Sequence, residues 1–211
     1  MTTAIETAPA MELTPQDIEA LLDELRTYHA IYSPLFQRRE QRAWAANYLQ
    51  GLLLEIPRKS IEPMILSLGG ADAKAVRAMQ QFISDGRWDD APLLRRHWQE
   101  VDTTLGEEDG VLTVDGSDFL TQGQESVGVK RQYCGEVGKR ANCQAGVFLG
   151  YASRHGYALL DRRLYLPREW VEDEAYAERR RKCGVPADVT FQTKLALARD
   201  MIDAVCQAKT L

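Results

Sequence analysis

The sequence lacks the patterns that mark several common classes of protein. Its four cysteines form no C-x-x-C pair, which argues against a structural zinc site and favours reduced thiols. No apolar run approaches the roughly 20 residues of a membrane span, and the start of the chain lacks the basic-then-apolar layout of a signal peptide. Phosphate-binding glycine loops are missing, and the three histidines show no ligand or triad spacing. We therefore expect a cytoplasmic protein with a disordered terminus at residues 1–11 and no membrane partner.

The chain has little excess of positive charge, although its charge is unevenly distributed. The formal net charge is −5. Residues 1–37 carry six acids and one base, which accounts for all of that charge. Residues 126–168 carry eight bases and two acids, a local charge of +6. A basic surface for an anionic partner is therefore compatible with the acidic composition.

The hydrophobic periodicity predicts an α+β protein with two parts. Residues 12–105 have helical spacing, and the first helix begins at Thr14-Pro15, a capping hydroxyl followed by proline. The pattern changes at Gly106. The remainder, residues 106–211, predicts strands near 111–115, 126–133, 142–152 and 157–166, a charged connection at 168–190, and a helix at 194–208.

One aspartate in the second part is a candidate metal ligand. Asp115 is predicted to end a short apolar strand and is followed by Gly116. Such a carboxylate is desolvated on one side and open on the other, as a ligand for a hard cation should be. The alternative is that Asp115 caps the turn that follows. Asp118 lies three residues on and suits a turn or a supporting role beside Asp115 rather than a second ligand.

Two groups of basic and polar residues are candidate contacts to nucleic acid. The first lies on the predicted strands near Asp115, where phosphate contacts and a solvated hairpin surface are both open alternatives. Its members are Lys130, Arg131, Gln132, Lys139, Arg140 and Asn142. The second lies on a pair of short helices resembling a helix-turn-helix, which plain helix packing explains equally well. Its members are Arg58, Lys59, Lys74, Arg77 and Arg87.

Several motifs in a fixed order resemble bacterial insertion-sequence transposases of the insertion sequence seven-oh-one group, a group of DDE superfamily endonucleases. The strand region carries V-L-T-V-D-G-S-D-F, S-V-G-V-K-R-Q-Y-C-G, N-C-Q-A-G-V-F-L-G-Y-A-S and L-L-D-R-R-L-Y-L-P-R-E-W. C-G-V-P and F-Q-T-K follow them, and Y-L-Q-G-L-L, R-K-S-I-E-P and V-R-A-M-Q-Q-F-I precede them. The resemblance covers roughly residues 35–211.

This resemblance implies an RNase H-like core that cuts and joins DNA with two Mg²⁺ or Mn²⁺ ions. In such a core, a meander of three strands is followed by a helix and by a fourth strand parallel to the first. Asp115 matches the first catalytic aspartate and metal ligand of the family. The second Asp and the Glu have no counterpart here. We therefore expect the chain to hold an incomplete core of three or four strands and one helix, to be truncated, and to be inactive alone. Binding of the family's metal ion and binding of no metal are both open alternatives for it.

The resemblance also implies the partners and the location of the protein. The expected partner is DNA, as transposon ends and target, and the expected location is the bacterial cytoplasm near the nucleoid. Two alternatives to an incomplete transposase remain. In the first, the chain is a non-catalytic DNA-binding remnant or regulator of transposition. In the second, it is a subunit that forms a homodimer or pairs with a full-length transposase through its exposed sheet edge.

Overall fold

A computed structural model of the protein describes residues 14–69, 72–123 and 125–208. The terminus predicted at residues 1–11 lies outside them. The chain divides into two compact units, residues 1–93 and 94–211. The boundary falls within a helix rather than at residue 105, where the sequence pattern changes. The architecture is mixed helix and antiparallel sheet, as the α+β prediction requires.

The first unit is helical, and its helices begin where the sequence places capping residues. They are α1 (Pro15–Tyr32), α2 (Arg39–Leu53), α3 (Ile61–Gly69) and α4 (Ala73–Ser84). Thr14 and Asp17 form a reciprocal capping box at α1. The Asp72 carboxylate accepts a hydrogen bond from the backbone N–H of Lys74 and caps α4. Local side-chain to backbone bonds thus confirm the helix start predicted at Thr14-Pro15 and fix the start of α4 in the same way.

The core of the first unit is a small aromatic cluster. Phe36, Phe82 and Trp88 have ring centroids within 5.6 to 6.0 Å of one another. The Trp88 indole N–H donates to the Phe82 carbonyl, so its one polar group is satisfied. Ile65 of α3 and Val76 and Met79 of α4 complete the buried set.

Helix α5 (Asp90–Leu105) spans the unit boundary and belongs by its packing largely to the second unit. Trp98 and Val101 are buried in the core of that unit. The Trp98 indole N–H donates to the Leu160 carbonyl at 2.9 Å. The helical spacing predicted up to residue 105 is confirmed by this helix.

The second unit is built on a four-stranded antiparallel sheet with one long central strand. The strands are β1 (Val111–Leu120), β2 (Lys130–Cys134), β3 (Lys139–Ser153) and β4 (Gly156–Tyr165). β1 pairs with β3 along one edge, while β2 and β4 pair with successive parts of its other edge. The order β4–β3–β1 runs across the widest part of the sheet.

The two faces of this sheet differ in burial, because successive side chains along a strand point to opposite sides. The core face carries Val147, Leu149 and Tyr151 of β3, which are all at most 4% exposed. Helix α8 (Lys194–Gln207) packs on that face through Leu197, Ala198, Met201 and Val205. A β-bulge in β4 inserts Leu160 between the residues paired with Leu149 and Gly150, so Leu160 and its neighbour Asp161 are both buried.

A short helical connection lies between β4 and α8. It contains α6 (Arg168–Glu172) and α7 (Ala177–Lys182). Trp170 of α6 is fully buried, and its indole N–H donates to the Val129 carbonyl at 2.8 Å. This bond anchors the connection beside the start of β2.

Two predicted strands have the wrong bounds. The strand expected to end at Asp115 continues to Leu120, because Cys143 to Phe148 of β3 supply backbone partners for residues 115–120. The strand expected from Ser126 begins only at Lys130, because Gly128 has a left-handed φ of 75° and Val129 closes a turn onto Ser126. Asp115 therefore lies in the middle of a strand and caps no turn.

Candidate functional site

Asp115 lies on the face of the sheet opposite α8. Its neighbour in β3 is Phe148, and the next residue across the sheet is Arg162 of β4. Leu112 packs into the core, so the odd-numbered residues of β1, including Asp115, project from the other side. Its carboxylate is exposed and accepts a hydrogen bond from the N–H of Gly116 at 2.7 Å. It makes no ion pair within the described residues.

The surface around Asp115 is called the open face below. Its members on the four strands are Val111, Thr113, Asp115, Ser117, Phe119, Arg131, Tyr133, Arg140, Asn142, Gln144, Phe148, Tyr157, Leu159, Arg162 and Leu164. Each of these is exposed or half-buried. Asp115 is the one acidic residue among them, and three of them are arginines. The open face therefore combines a single carboxylate with cations and aromatic rings.

The aromatic rings and arginines of the open face lie on both sides of Asp115. Phe119 and Phe148 pack edge to face with centroids 6.1 Å apart. Tyr133 is 66% exposed and Tyr157 88% exposed, although tyrosine is usually at least half-buried in a sheet. Arg131 pairs with Asn142, six residues along β3 from Phe148, which corresponds to roughly 20 Å at ~3.4 Å per residue. A chain of several phosphates could follow such a surface.

Asp118 lies on the core face and does not meet Asp115. Its carboxylate accepts a hydrogen bond from the Gly135 N–H at 2.8 Å. Glu136 reciprocates, because its carboxylate accepts from the Leu120 N–H at 3.1 Å. The two acids therefore tie the end of β1 to the turn between β2 and β3.

The other polar residues predicted on the strands have different neighbours. Lys130 is half-buried and pairs with Glu169 of α6, and its hydrogen bond lowers the pKa of that carboxyl. The Gln132 amide donates to the Cys143 carbonyl at 3.3 Å. Lys139 is exposed at the start of β3. Of the six predicted phosphate contacts, Arg131, Arg140 and Asn142 lie on the open face.

The basic residues predicted on the helices belong to the first unit. Arg58, Lys74, Arg77 and Arg87 are exposed. Lys59 is also exposed, but its ammonium donates to the Leu52 carbonyl at the end of α2. Lys74 and Arg77 are three residues apart on α4, on the side away from the buried Val76 and Met79.

The described residues contain no group of three or more His, Cys, Asp or Glu side chains placed to hold a metal ion. Asp115 nevertheless has the chemistry of a magnesium ligand, an exposed carboxylate without a cation partner among the described residues. Mg²⁺ is usually bound by one or two carboxylates together with substrate phosphates and water. Asp115 fits that role as one ligand of a larger set.

Two features were missed in the sequence. Lys194, at the start of α8, has its ammonium close to the position that a β-carbon on Gly116 would take, 3.8 Å away. This places a cation on the core face, directly behind the strand position next to Asp115. The second feature is the run of four bases in α7. Its signal in the sequence is R-R-R-K, which lies in the segment predicted above only as a charged connection.

The chain is similar to a known protein family. The family described as DDE superfamily endonuclease matches residues 32–210, which include every strand and all helices except α1. No curated protein and no solved structure gives a significant match to the chain. In the described part of the chain, no helix is both long enough and apolar enough to span a membrane.

Proposed function

The chain belongs to the DDE superfamily endonucleases, and from this premise we propose that it is part of a transposase that cuts and joins DNA, with Asp115 as a metal ligand. The family acts on DNA, and its nucleases use divalent metal ions. The assignment to the insertion sequence seven-oh-one group belongs to the same proposal and rests on the order of the sequence motifs.

The observation that carries the proposal is the environment of Asp115. The carboxylate lies in mid-strand, is exposed and accepts a single bond from its own neighbour, so most of its lone pairs are available to water or a metal ion. The open face around it supplies arginines for phosphates and rings for bases. A catalytic carboxylate that must bind a metal ion has to keep its negative charge free of cationic side chains of the protein.

Asp115 would hold one Mg²⁺ or Mn²⁺ ion, which would supply charge stabilisation at the reacting phosphate and an activated water or hydroxyl. Within the described residues, the open face provides no second carboxylate. We therefore place the remaining ligands in protein outside these residues, in the same chain or in another subunit. The arginines of the open face would orient the DNA by its phosphates and bring a phosphodiester to Asp115.

The fold itself supports an incomplete RNase H-like core. Three antiparallel strands lie in the order β4–β3–β1, with β2 inserted between β1 and β3 in the chain, and α8 follows and packs on one face. β1 pairs with β3 alone among the described strands, and Val114 and Leu120 beside its outer edge are 43% and 48% exposed. A further strand, from the same chain or from a second subunit, would be accommodated at that edge.

The helix pair α3–α4 is proposed as a second contact to DNA. Lys74 and Arg77 share one side of α4, which is amphipathic. Such a helix can contact the DNA backbone or enter a groove.

The test is nicking of supercoiled plasmid DNA with Mg²⁺ or Mn²⁺ by the chain and by two variants. Asp115→Asn removes the charge of the ligand and is expected to lower the rate by at least about a hundredfold. Ser117→Ala, two residues along the same face, is the matched control and should nick at the wild-type rate. Equal nicking by Asp115→Asn and wild type would overturn the role of Asp115.

The second candidate is a non-catalytic DNA-binding regulator of transposition. It is favoured by the single carboxylate of the open face beside three arginines. No nicking by any variant, together with duplex binding that weakens steeply with salt, would support this candidate over the enzyme. Salt-insensitive binding, or none, would count against both.

A further inference from the structure

Helix α7 carries four consecutive basic residues, none of which is a member of the open face. Its six residues are Ala-Glu-Arg-Arg-Arg-Lys, and the helix ends in a left-handed Gly184 with a φ of 67°. The Gly184 N–H bonds the Arg181 carbonyl, and the Val185 N–H bonds the Arg180 carbonyl. This Schellman turn satisfies the last carbonyls of the helix by backbone groups alone. The basic side chains are therefore not needed as caps.

Three of the four cations of α7 have partners in the protein. Arg179 lies over the rings of Trp170 and Tyr176, at 5.5 and 5.4 Å from their centroids. Arg180 donates to the carbonyls of Trp170 and Asp173 at 3.1 and 2.9 Å. Lys182 pairs with Glu178 at 3.1 Å.

Arg181 differs from its neighbours. It is exposed, and its side chain makes no hydrogen bond or ion pair with the described residues. Stabilisation of the helix C-terminus by positive charge explains a cation here in general. It does not explain why this one lines a cavity.

The cavity beside Arg181 has a mixed lining. Its volume is about 320 Å³, and Val171, Val185, Pro186 and Val189 form much of its wall, with Arg180 and Arg181 beside them. This size is at the lower end of the range of ligand pockets. An apolar wall next to a free guanidinium suits a ligand with a flat, weakly polar body and an attached anion.

We propose that this cavity binds one unpaired nucleotide of single-stranded DNA, with the base against the valines and its phosphate on Arg181. Because Arg180 is held by two backbone carbonyls, it forms a fixed positive wall behind the ligand. The planar guanidinium of Arg181 can bind a phosphate through two N–H groups. The inference rests on DNA as the substrate of the proposed function, and adds a site that does not involve Asp115.

The test is binding of a fluorescent 12-nucleotide thymidine strand and of a duplex of equal length, by anisotropy, in the presence of EDTA. Arg181→Gln is expected to weaken single-strand binding by about tenfold, since its charge-assisted contact to the phosphate is lost. Arg199→Gln, which removes another exposed arginine, paired with Asp203 in α8, is the control and should change binding less than about twofold. Val189→Trp, which fills the cavity, should weaken the single strand and leave the duplex unchanged.

The outcomes separate this site from the proposed function. If the wild-type chain binds neither DNA, the proposed function and this inference fail together. If it binds DNA but Arg181→Gln behaves like Arg199→Gln, only this inference is overturned. Displacement of the strand by polyglutamate at equal charge concentration would also overturn it, because an acidic peptide would then be an equally good occupant.

Discussion

The two faces of the sheet in the second unit are formed by the same strands but differ in burial and in the side chains they carry. On the core face, Leu149 is fully buried among aliphatic side chains of α5 and α8. On the open face, Leu159 and Tyr157 are 65% and 88% exposed, next to arginines. Because successive side chains of a strand point to opposite faces, the same strands contribute buried side chains to the core on one side and exposed side chains for recognition on the other.

The comparison teaches that the two faces should respond to different measurements. Changes on the core face should appear in the free energy of unfolding, because they alter buried area and packing. Changes on the open face should appear mainly in DNA binding and cleavage.

The largest expected difference is between two leucines. Leu149→Ala removes a fully buried side chain and should cost about 2–5 kcal/mol in the free energy of unfolding. Leu159→Ala, at 65% exposure, should change it by less than about 0.5 kcal/mol. Urea unfolding followed by circular dichroism measures both. Similar losses for the two variants would mean that the open face is buried in solution.

A second pair tests the bulge of β4. Trp98→Phe leaves the buried Leu160 carbonyl without its donor and should cost about 1–3 kcal/mol. His97 contacts the Leu159 carbonyl at 2.7 Å. His97→Phe should cost less than about 1 kcal/mol, because Leu159 is exposed and water can replace the ring. Urea unfolding measures both losses in the free energy of unfolding. A larger loss for His97→Phe than for Trp98→Phe would contradict this account.

A third change should act on binding alone. Arg131→Gln removes one cation of the open face and should weaken duplex binding by roughly 1 kcal/mol while lowering the salt slope by about one. Titrations of labelled DNA at several salt concentrations give both quantities. Lys182→Gln, in α7 and paired within its own helix, is a control that should leave the duplex slope less affected. An unchanged slope for Arg131→Gln would exclude a phosphate contact there.

The smallest effect concerns the pH dependence of stability. The hydrogen bond from Lys130 lowers the pKa of Glu169 from its ordinary value of 4.5, assisted by the residue's own backbone N–H. The stabilisation is therefore present above about pH 4.5 and lost as the pH falls through the lower pKa of the folded state. Because Glu169 is 45% exposed, Glu169→Gln should cost less than about 1 kcal/mol at pH 7. An equal loss at pH 7 and pH 3 would contradict the assignment.

The helices could be predicted from the sequence because their signals are local. Thr14 and Asp72 cap helices through neighbouring backbone groups, and the apolar spacing of α4 follows its buried side. The full length of β1 could not be predicted in this way. Gly116, Ser117 and Asp118 are typical of a turn, and only the distant strand β3 supplies the bonds that keep them extended.

The candidate site was predictable as a residue but not as a surface. Asp115 is recognisable from its motif, whereas its position on the open face, and the separation of Asp118 from it, depend on the register with β3. Arg181 could not be distinguished from the neighbouring bases, because their partners are the Trp170 ring and backbone carbonyls formed only in the fold.

The central position of β3 has a consequence for how the second unit comes apart. β3 pairs with each of the other three strands, and through them holds Asp115, the arginines and the bulge in register. Separation of β1, β2 or β4 breaks only the hydrogen bonds between that strand and β3. Separation of β3 breaks the strand pairing of the whole described sheet. Its amides should therefore exchange with solvent deuterium only in the global unfolding event, and slow exchange there would report directly on the integrity of the candidate site.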